Sequence, residues 1–334
     1  MEQLWSVVLA AGEGKRMHSS LPKVLHNLCG KPMISYILGS AVELTNQVVV
    51  VVGHGASQVQ EVLGKRWRYV VQEEQLGTGH AVAQALKCLP DEGTLLVLCG
   101  DTPLLETEHL RQLAARSEQY AAVVATTILP DPSGYGRIVR ARDDLIERIV
   151  EDRDAGEEEK KIEEINTGTY CFNLKLLKRY LPLLTTDNIQ KEYYLTDIVA
   201  LMRTDGHLTG TYVISDHRVG LGINNRGQLA EAAGLMRAKI NRALMLSGVT
   251  IVDPGSTYID YGLEIGPDTE IFPNCLIENG TVIGNGCRIG PNAHLNNAVI
   301  HDGAVIQNSI VTGGVIEANQ QVRPYVYLRS ERED

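Results

Sequence analysis

Apolar and polar residues follow one pattern in the first two-thirds of this chain and another in the last third. In the first part, short apolar runs rich in β-branched residues predict buried parallel strands. These runs cover residues 6–10, 47–52, 94–98 and 121–126. Segments with apolar residues at three- and four-residue spacing lie between them and predict helices. These segments cover residues 33–42, 56–63, 80–89 and 106–117. The alternation predicts an α/β domain with a doubly wound, mostly parallel sheet, which binds ligands beyond the carboxyl ends of its strands.

The last third of the chain has a period of six residues. One column is aliphatic and contains Ile259, Ile265, Ile271, Ile277, Ile283, Ile289 and Leu295. A second column, two residues earlier, contains Thr257, Leu263, Thr269, Cys275, Thr281, Cys287 and Ala293. This period fits neither a helix nor a single strand and is typical of a parallel β-helix built from hexapeptides, three per coil. Past Leu295 the period shifts by one or two residues but persists to Val322. An irregular glycine-rich β domain is the weaker alternative.

These patterns divide the 334 residues into three parts. We expect an α/β domain over residues 1–225, a connecting helix over residues 226–248 and a short β-helix over residues 249–330. A helical pattern runs from Arg226 to Leu246, and Gly248 ends it. The charged segment 152–164 is expected to be a solvated loop or helix face.

Composition narrows the possible functions. Thirty-one basic and forty-one acidic residues give a net charge of −10, which argues against a nucleic acid partner. The six cysteines form no C-x-x-C pair and no zinc-ligand spacing. The start of the chain lacks the features of a signal peptide, and no stretch is apolar enough to span a membrane, so a cytoplasmic protein with no membrane partner is expected.

A glycine-rich loop follows the first predicted strand. It reads Leu-Ala-Ala-Gly-Glu-Gly-Lys-Arg-Met over residues 9–17, and Lys23 comes soon after it. Small residues let backbone N–H groups approach a phosphate chain, and Arg16 and Lys23 add positive charge. A Rossmann fingerprint is excluded because Met17 replaces its third glycine, and a P-loop is excluded because one residue, not four, separates the two glycines.

Two further segments suggest nucleotide and metal binding. The polar loop at residues 72–81 contains Gln72, Gly77 and Thr78, which could contact the edge of a base, although Thr78 as a helix N-cap is an alternative explanation. Asp101 follows the strand at residues 94–98, where a carboxylate suits Mg²⁺, although it could equally cap a turn. Asn224, after a later apolar strand, could supply a second oxygen ligand.

Four polar clusters punctuate the middle of the chain. They lie at residues 134–138, 150–152, 166–168 and 192–197. Each alone is explained as a turn or strand end, but together they suggest a second pocket with carboxylates and amides that bind hydroxyl groups.

Together these motifs resemble the family of bifunctional N-acetylglucosamine-1-phosphate uridyltransferases and glucosamine-1-phosphate acetyltransferases. The resemblance covers nearly the whole chain. It implies that UTP and N-acetylglucosamine 1-phosphate react to give UDP-N-acetylglucosamine, a precursor of cell wall and lipopolysaccharide, and pyrophosphate. It also implies in-line attack at the α-phosphorus with Mg²⁺ as cofactor, and a homotrimer assembled through a left-handed β-helix.

The resemblance implies a role for each matching residue. The nucleotide contacts are expected to be Leu9, Ala10, Ala11, Gly12, Gln72, Gly77 and Thr78. The catalytic, phosphate-binding cations are expected to be Arg16 and Lys23. The Mg²⁺ ligands are expected to be Asp101 and Asn224. The sugar contacts are expected to be Gly136, Glu151, Asn166, Tyr194 and Thr196.

The chain departs from the family pattern in three places. Lys15 replaces an expected threonine, and Cys99 stands where an aromatic residue is common. The sequence also ends at Asp334, before the coils that carry the acetyltransferase site in this family, so we expect that activity to be absent and trimer assembly to be weaker.

Two other functions remain open at this point. One is a related glucose-1-phosphate uridylyl- or thymidylyltransferase. The other is a non-catalytic, trimerising β-helix scaffold, which would have no need for Arg16, Lys23, Asp101 and Asn224.

Overall fold

The computed structural model describes residues 3–143 and 145–329. It consists of two compact units. The first contains the chain up to His26 together with Pro32–Arg226, and the second contains Asn27–Lys31 together with the chain from Gly227 onward. The short segment Asn27–Lys31 thus belongs to the second unit, which the sequence pattern did not indicate.

The chain up to residue 246 contains both strands and helices, and they alternate between α1 and β7. The strands are β1 (Leu4–Ala10), β2 (Asn27–Leu28), β3 (Lys31–Pro32), β4 (Val48–Val52), β5 (Arg68–Val71), β6 (Thr94–Cys99), β7 (Ala122–Ile128), β8 (Arg137–Arg140), β9 (Ile146–Val150), β10 (Glu164–Asn173) and β11 (Thr209–Val213). The helices are α1 (Met33–Val42), α2 (Ala56–Leu63), α3 (Thr78–Leu86), α4 (Thr107–Arg116), α5 (Leu174–Tyr180), α6 (Asp197–Thr204), α7 (His217–Gly220) and α8 (Arg226–Leu246).

The main sheet has the strand order β11-β7-β10-β6-β1-β4-β5. Strand β1 lies between β4 and β6 and is parallel to both. All five valines of β4 are fully or almost fully buried, because helices cover both faces of a parallel sheet and leave no solvated face. The four predicted strands and the four predicted helices are confirmed, with ends that differ by a few residues. Helix α3 begins at Thr78, two residues earlier than expected.

The antiparallel part of the sheet was not predicted. Strand β10 runs antiparallel to both β6 and β7, and the hairpin of β8 and β9 pairs with it. The register between β10 and β7 shifts between Asn166 and Tyr170. Gly168 lies in this irregular stretch with φ +78°, a conformation that favours glycine. The polar cluster at residues 166–168 is therefore a bulge within a long strand.

The second unit contains a stack of very short strands. They are β12 (Thr250–Ile251), β13 (Tyr258–Ile259), β14 (Glu264–Ile265), β15 (Glu270–Ile271), β16 (Leu276–Glu278), β17 (Val282–Ile283), β18 (Arg288–Ile289), β19 (His294–Asn296), β20 (Val299–Ile300), β21 (Val305–Ile306), β22 (Ile310–Thr312), β23 (Val315–Ile316), β24 (Gln321–Val322) and β25 (Tyr327–Arg329). Every third strand pairs in parallel, which gives three sheets: β12-β15-β18-β21-β24, β13-β16-β19-β22-β25 and β14-β17-β20-β23. This is a parallel β-helix with three strands per coil.

The six-residue columns form the interior of this β-helix. Ile277 lies beside Leu295 and Ile283 beside Ile300, and all four are almost completely buried. The shift in period after Leu295 arises because later coils lose a residue at some corners while the inward residues stay in register. Each buried aliphatic side chain contributes about 1.5–3 kcal/mol relative to exposure, so the stack itself supplies the core of this unit.

Helix α8 joins the β-helix through a buried side chain. Asn241 donates from Nδ2 to the carbonyl oxygens of Pro254 and Thr257, at 3.0 and 3.1 Å. These bonds satisfy backbone groups of the first coil, where no preceding strand is available.

No helix within the described part of the chain is both long and apolar enough to cross a membrane.

Candidate active site

The glycine-rich loop leaves β1 and borders a cleft of about 460 Å³. Leu9, Ala10, Ala11 and Gly12 line this cleft. A Cβ atom built on Gly12 would meet nothing within 4 Å, so the backbone there is open to a ligand. Gly14 has φ +66°, and a Cβ there would lie 2.6 Å from Cβ of Lys23. The second glycine therefore allows Lys23 to approach the loop.

Lys23 lies between the two residues expected to bind metal. Its ammonium group forms a salt bridge with Asp101 and donates to Oδ1 of Asn224 at 3.1 Å. Asp101 comes two residues after the end of β6, which is parallel to β1. Asn224 follows α7 and not the apolar strand that the sequence pattern had indicated. Asp101 and Asn224 are brought together, although 123 positions of the chain separate them, because the loop after α7 packs against the loop after β6.

Backbone contacts hold this pair in place. The N–H of Ile223 donates to the carbonyl oxygen of Asp101 at 2.9 Å. A Cβ on Gly222 would lie only 3.2 Å from the Asp101 carboxylate, so a glycine lets the two loops approach closely. Asn224 donates from Nδ2 to the carbonyl oxygen of Gly222 at 3.1 Å, and its Oδ1 accepts from the Lys23 ammonium.

The chemistry of these donors fits Mg²⁺. A carboxylate oxygen and an amide oxygen converge on one positive charge, and both are hard ligands of the kind that Mg²⁺ prefers. Within residues 3–143 and 145–329, no group of three or more His, Cys, Asp or Glu side chains could hold a metal ion. A metal with two protein ligands, completed by phosphate oxygens and water, matches this arrangement.

The other end of the cleft is built by the loop before α3. Gln72, Gly77 and Thr78 line it, and Gly77 has φ +105°. Tyr193 pairs with this loop through backbone bonds to Leu76 and Gly79, each 2.8 Å long. The Thr78 hydroxyl accepts from the N–H of Leu195 at 3.1 Å. The N-cap of α3 is Gly77, so the alternative explanation of Thr78 as a helix cap is wrong.

The expected sugar contacts form a neighbouring hydrogen-bonded set. Thr196 donates from Oγ1 to Oε1 of Glu151 at 3.0 Å, and the N–H of Asn166 donates to the carbonyl oxygen of Gly136 at 2.8 Å. A Cβ on Gly136 would lie 3.5 Å from Oε2 of Glu151. These four residues are therefore close together.

Burial also affects the charges in this set. It raises the pKa of the Glu151 carboxyl despite the Thr196 hydrogen bond, and nearby carboxylates raise that pKa further. The hydroxyl of Tyr194, the fifth expected contact, donates to Oδ2 of Asp154 at 3.2 Å. None of the five residues belongs to the lining of the 460 Å³ cleft.

Arg16 is exposed and also lies outside that lining. Its charge nevertheless reaches the site. Burial raises the pKa of the Tyr135 hydroxyl, the Asp101 carboxylate raises it further, and the Arg16 guanidinium lowers it. Tyr135 is therefore within electrostatic range of both residues, and sequence reasoning named it only as part of a turn.

A buried arginine that sequence reasoning did not single out joins two loops of the sugar set. Arg137 is 2% exposed, donates to the carbonyl oxygen of Tyr135, and donates to Oδ1 of Asp152 at 2.9 Å. It follows Gly136, and Asp152 follows Glu151. In the sequence, Arg137 follows two glycines and precedes aliphatic residues, and this pattern does not indicate a buried arginine. The lining residues Glu13, Gln75 and Glu192 were likewise missed.

Known protein families match both parts of this chain. Residues 6–164 match the MobA-like NTP transferase domain, and residues 262–297 match the bacterial transferase hexapeptide (six repeats). The bifunctional protein GlmU of Thermoanaerobacter pseudethanolicus is 45% identical over 334 residues, which is 99% of this chain and 73% of that protein. The chain belongs to the GlmU family.

Other members give the same result. The bifunctional protein GlmU of Clostridioides difficile is 44% identical over 97% of this chain and 71% of its own length. That of Listeria monocytogenes is 43% identical over 99% of this chain and 73% of its own length. The expected family, the mostly parallel nucleotidyltransferase sheet and the left-handed β-helix are confirmed. The chain is a nucleotidyltransferase, and neither a related sugar specificity nor an inert scaffold is favoured.

Proposed function

We propose that this chain transfers the uridylyl group of UTP to N-acetylglucosamine 1-phosphate, with UDP-N-acetylglucosamine and pyrophosphate as products. The proposal rests on the convergence of Asp101 and Asn224 on the Lys23 ammonium, directly beside the glycine-rich loop. A nucleotidyltransferase of the GlmU family needs a cation site beside a phosphate-binding loop, and these residues supply it.

The nucleotide occupies the 460 Å³ cleft. Backbone groups of Leu9, Ala10, Ala11 and Gly12 hold the ribose and phosphates, and Gly12 leaves room for close approach. Gln72, Gly77 and Thr78 hold the uracil ring at the other end. Backbone bonds to Tyr193 fix this loop before the nucleotide binds, which lowers the entropy cost of binding.

Asp101 and Asn224 would hold Mg²⁺. When bound, the ion neutralises charge on the phosphates and stabilises the transition state. Lys23 adds an ammonium group beside it, and Arg16 adds a guanidinium at the open side of the site. Both cations stabilise negative charge that builds up on the α-phosphate and on the leaving pyrophosphate.

The sugar phosphate binds at Gly136, Glu151, Asn166, Tyr194 and Thr196. An oxygen of its phosphate attacks the α-phosphorus of UTP in line, a new P–O bond forms, and the bond to the β-phosphate breaks with release of pyrophosphate. The attacking phosphate is ionised near neutral pH, so no general base is required. Positioning and electrostatic stabilisation therefore supply the rate.

The β-helix supports a homotrimer. Val282, Val299 and Val315 lie in one column of one sheet and are 40%, 39% and 55% exposed. Such a ladder of apolar side chains is typical of an interface. Because UTP is a cytoplasmic substrate, we place the enzyme in the cytoplasm. Val299→Asp should lower the mass measured by light scattering if this column lies between subunits; an unchanged mass would contradict the trimer proposal.

The test is pyrophosphate release with UTP, Mg²⁺ and a panel of sugar 1-phosphates, with dTTP as a second nucleotide. We expect strong release only with UTP and N-acetylglucosamine 1-phosphate. Asp101→Ala should lower turnover at least a hundredfold, while Asp91→Ala, which alters an exposed aspartate paired with Lys178, should not. Equal activity with glucose 1-phosphate would overturn the substrate assignment, and an active Asp101→Ala variant would overturn the metal site.

A further inference from the structure

His80 contacts the side chain of Gln72, at the end of the cleft assigned to the base. Its Nδ1 lies 3.1 Å from Nε2 of Gln72. The same Nε2 lies 3.1 Å from the carbonyl oxygen of Gly77. On the other side of the ring, Nε2 of His80 lies 2.8 Å from the amide nitrogen Nε2 of Gln84. Gln72 lines the cleft although only 3% of its surface is exposed.

These contacts determine which atom of Gln72 faces each neighbour. The carbonyl oxygen of Gly77 can only accept, so the Gln72 group beside it is the NH₂ and not the oxygen. The second hydrogen of that NH₂ then points to Nδ1 of His80, which must accept it. An imidazole that accepts at Nδ1 is neutral and carries its hydrogen on Nε2.

Gln84 can fix this tautomer. Rotation of its amide by 180° exchanges oxygen and nitrogen, and with the oxygen toward the ring it accepts the hydrogen on Nε2 of His80. That rotation loses a contact of 2.7 Å with the ammonium of Lys87, which is exposed and can exchange this contact for water. The chain of bonds therefore runs from Gln84 through His80 to Gln72.

With both amide hydrogens engaged, Gln72 can offer only its oxygen to a ligand. Within the part of the chain that the structure describes, no donor is paired with Oε1 of Gln72. An acceptor oxygen pairs with the N3–H donor of uracil and repels the N3 lone pair of cytosine. A buried group that is committed to one hydrogen-bonding role discriminates strongly against the wrong partner.

We propose that His80 is a positioning residue that sets the preference for uracil over cytosine by holding the Gln72 amide in one orientation. This inference rests on the proposed function, in which the base of UTP lies beside Gln72. His80 itself does not contact the base in this proposal, and it acts through the amide that it orients.

The test compares His80→Ala with His80→Asn. Alanine removes the acceptor, whereas asparagine can place its Oδ1 near the position of Nδ1 and keep it. For His80→Ala we expect the KM for UTP to rise about tenfold with little change in kcat, and the kcat/KM ratio of UTP to CTP to fall about tenfold, as for the loss of one hydrogen bond. His80→Asn should restore most of that ratio. The KM for the sugar phosphate should stay unchanged in both variants.

Further variants keep the result decisive. Gln84→Leu removes the acceptor for Nε2–H and should lower the UTP-to-CTP ratio without any change at His80. His109→Ala is the matched control, because His109 contacts the hydroxyl of Tyr212 at 2.9 Å through its own Nδ1 and should leave the ratio unchanged. Equal losses with UTP and CTP, or identical ratios in the alanine and asparagine variants, would overturn the inference. A wild-type protein inactive with UTP would instead refute the proposed function.

Discussion

Replacement of Lys23 by methionine should strengthen metal binding to the nucleotide-free protein while it slows turnover. In the structure the ammonium group of Lys23 binds the side-chain oxygens of both Asp101 and Asn224. The Lys23 and Asp101 side chains are only 15% and 17% exposed. A divalent cation must therefore displace the lysine. A charge-assisted hydrogen bond of this kind contributes about 1.5–3 kcal/mol, part of which is regained when the displaced ammonium meets water. A net difference of about 1.4 kcal/mol lowers the Kd for the metal about tenfold.

The assay is a titration of the nucleotide-free protein with Mn²⁺, followed by electron paramagnetic resonance of the free ion. Lys15→Met is the matched control, because Lys15 also lines the cleft but pairs with Glu13 at 3.1 Å. Its metal affinity should not change. Asp101→Asn in the Lys23→Met background should abolish the gain. An unchanged or weaker affinity in Lys23→Met would refute the reasoning, because it would mean that the metal and the lysine do not compete for the same oxygens.

Three further predictions concern the nucleotide loop, the sugar set and the β-helix. Gly77→Ala places a Cβ 2.6 Å from the carbonyl oxygen of Tyr193, in a backbone conformation of φ +105° that favours glycine. The KM for UTP should therefore rise at least tenfold. An unchanged KM would contradict the proposal that Tyr193 fixes this loop for nucleotide binding. Burial raises the pKa of Glu151 above 4.5, so the ionised carboxylate destabilises the folded state at high pH. Glu151→Gln should therefore raise the melting temperature at pH 8, with a gain that shrinks as the pH falls toward 4.5, and a pH-independent difference would contradict this. Ile289→Ala, in the buried column of the β-helix, should lower the free energy of unfolding measured in urea by about 2–4 kcal/mol. The control Gln321→Ala, at an exposed position, should change it by less than about 0.5 kcal/mol. Equal effects would contradict the proposal that the inward column forms the core.

The regular parts of the fold could be predicted because buried positions produce a regular pattern of apolar residues in the sequence. The five valines of β4 have no solvated face, and the inward column of the β-helix repeats every six residues. The residues of the antiparallel strands β8, β9 and β10 do not show such a pattern. Gly168 read as part of a turn, since a bulge and a turn require the same backbone freedom.

The site could be predicted only residue by residue. The types of Lys23, Asp101 and Asn224 indicated their chemistry, but the contact between them depends on the packing of loops that are distant in the sequence. The buried Arg137 and the ring of His80 were missed for the same reason. Their roles arise from partners on other segments, and no local spacing records such partners.

The most direct test of uridylyl transfer follows one sample by ³¹P nuclear magnetic resonance. The sample contains the protein, Mg²⁺, UTP and N-acetylglucosamine 1-phosphate. We expect the signals of UTP and of the sugar phosphate to disappear together, while free pyrophosphate and a product with two coupled diphosphate resonances appear in equal amounts. Added pyrophosphate should drive the reaction backward. Release of orthophosphate without the coupled product, or no change in any signal, would contradict uridylyl transfer by this chain.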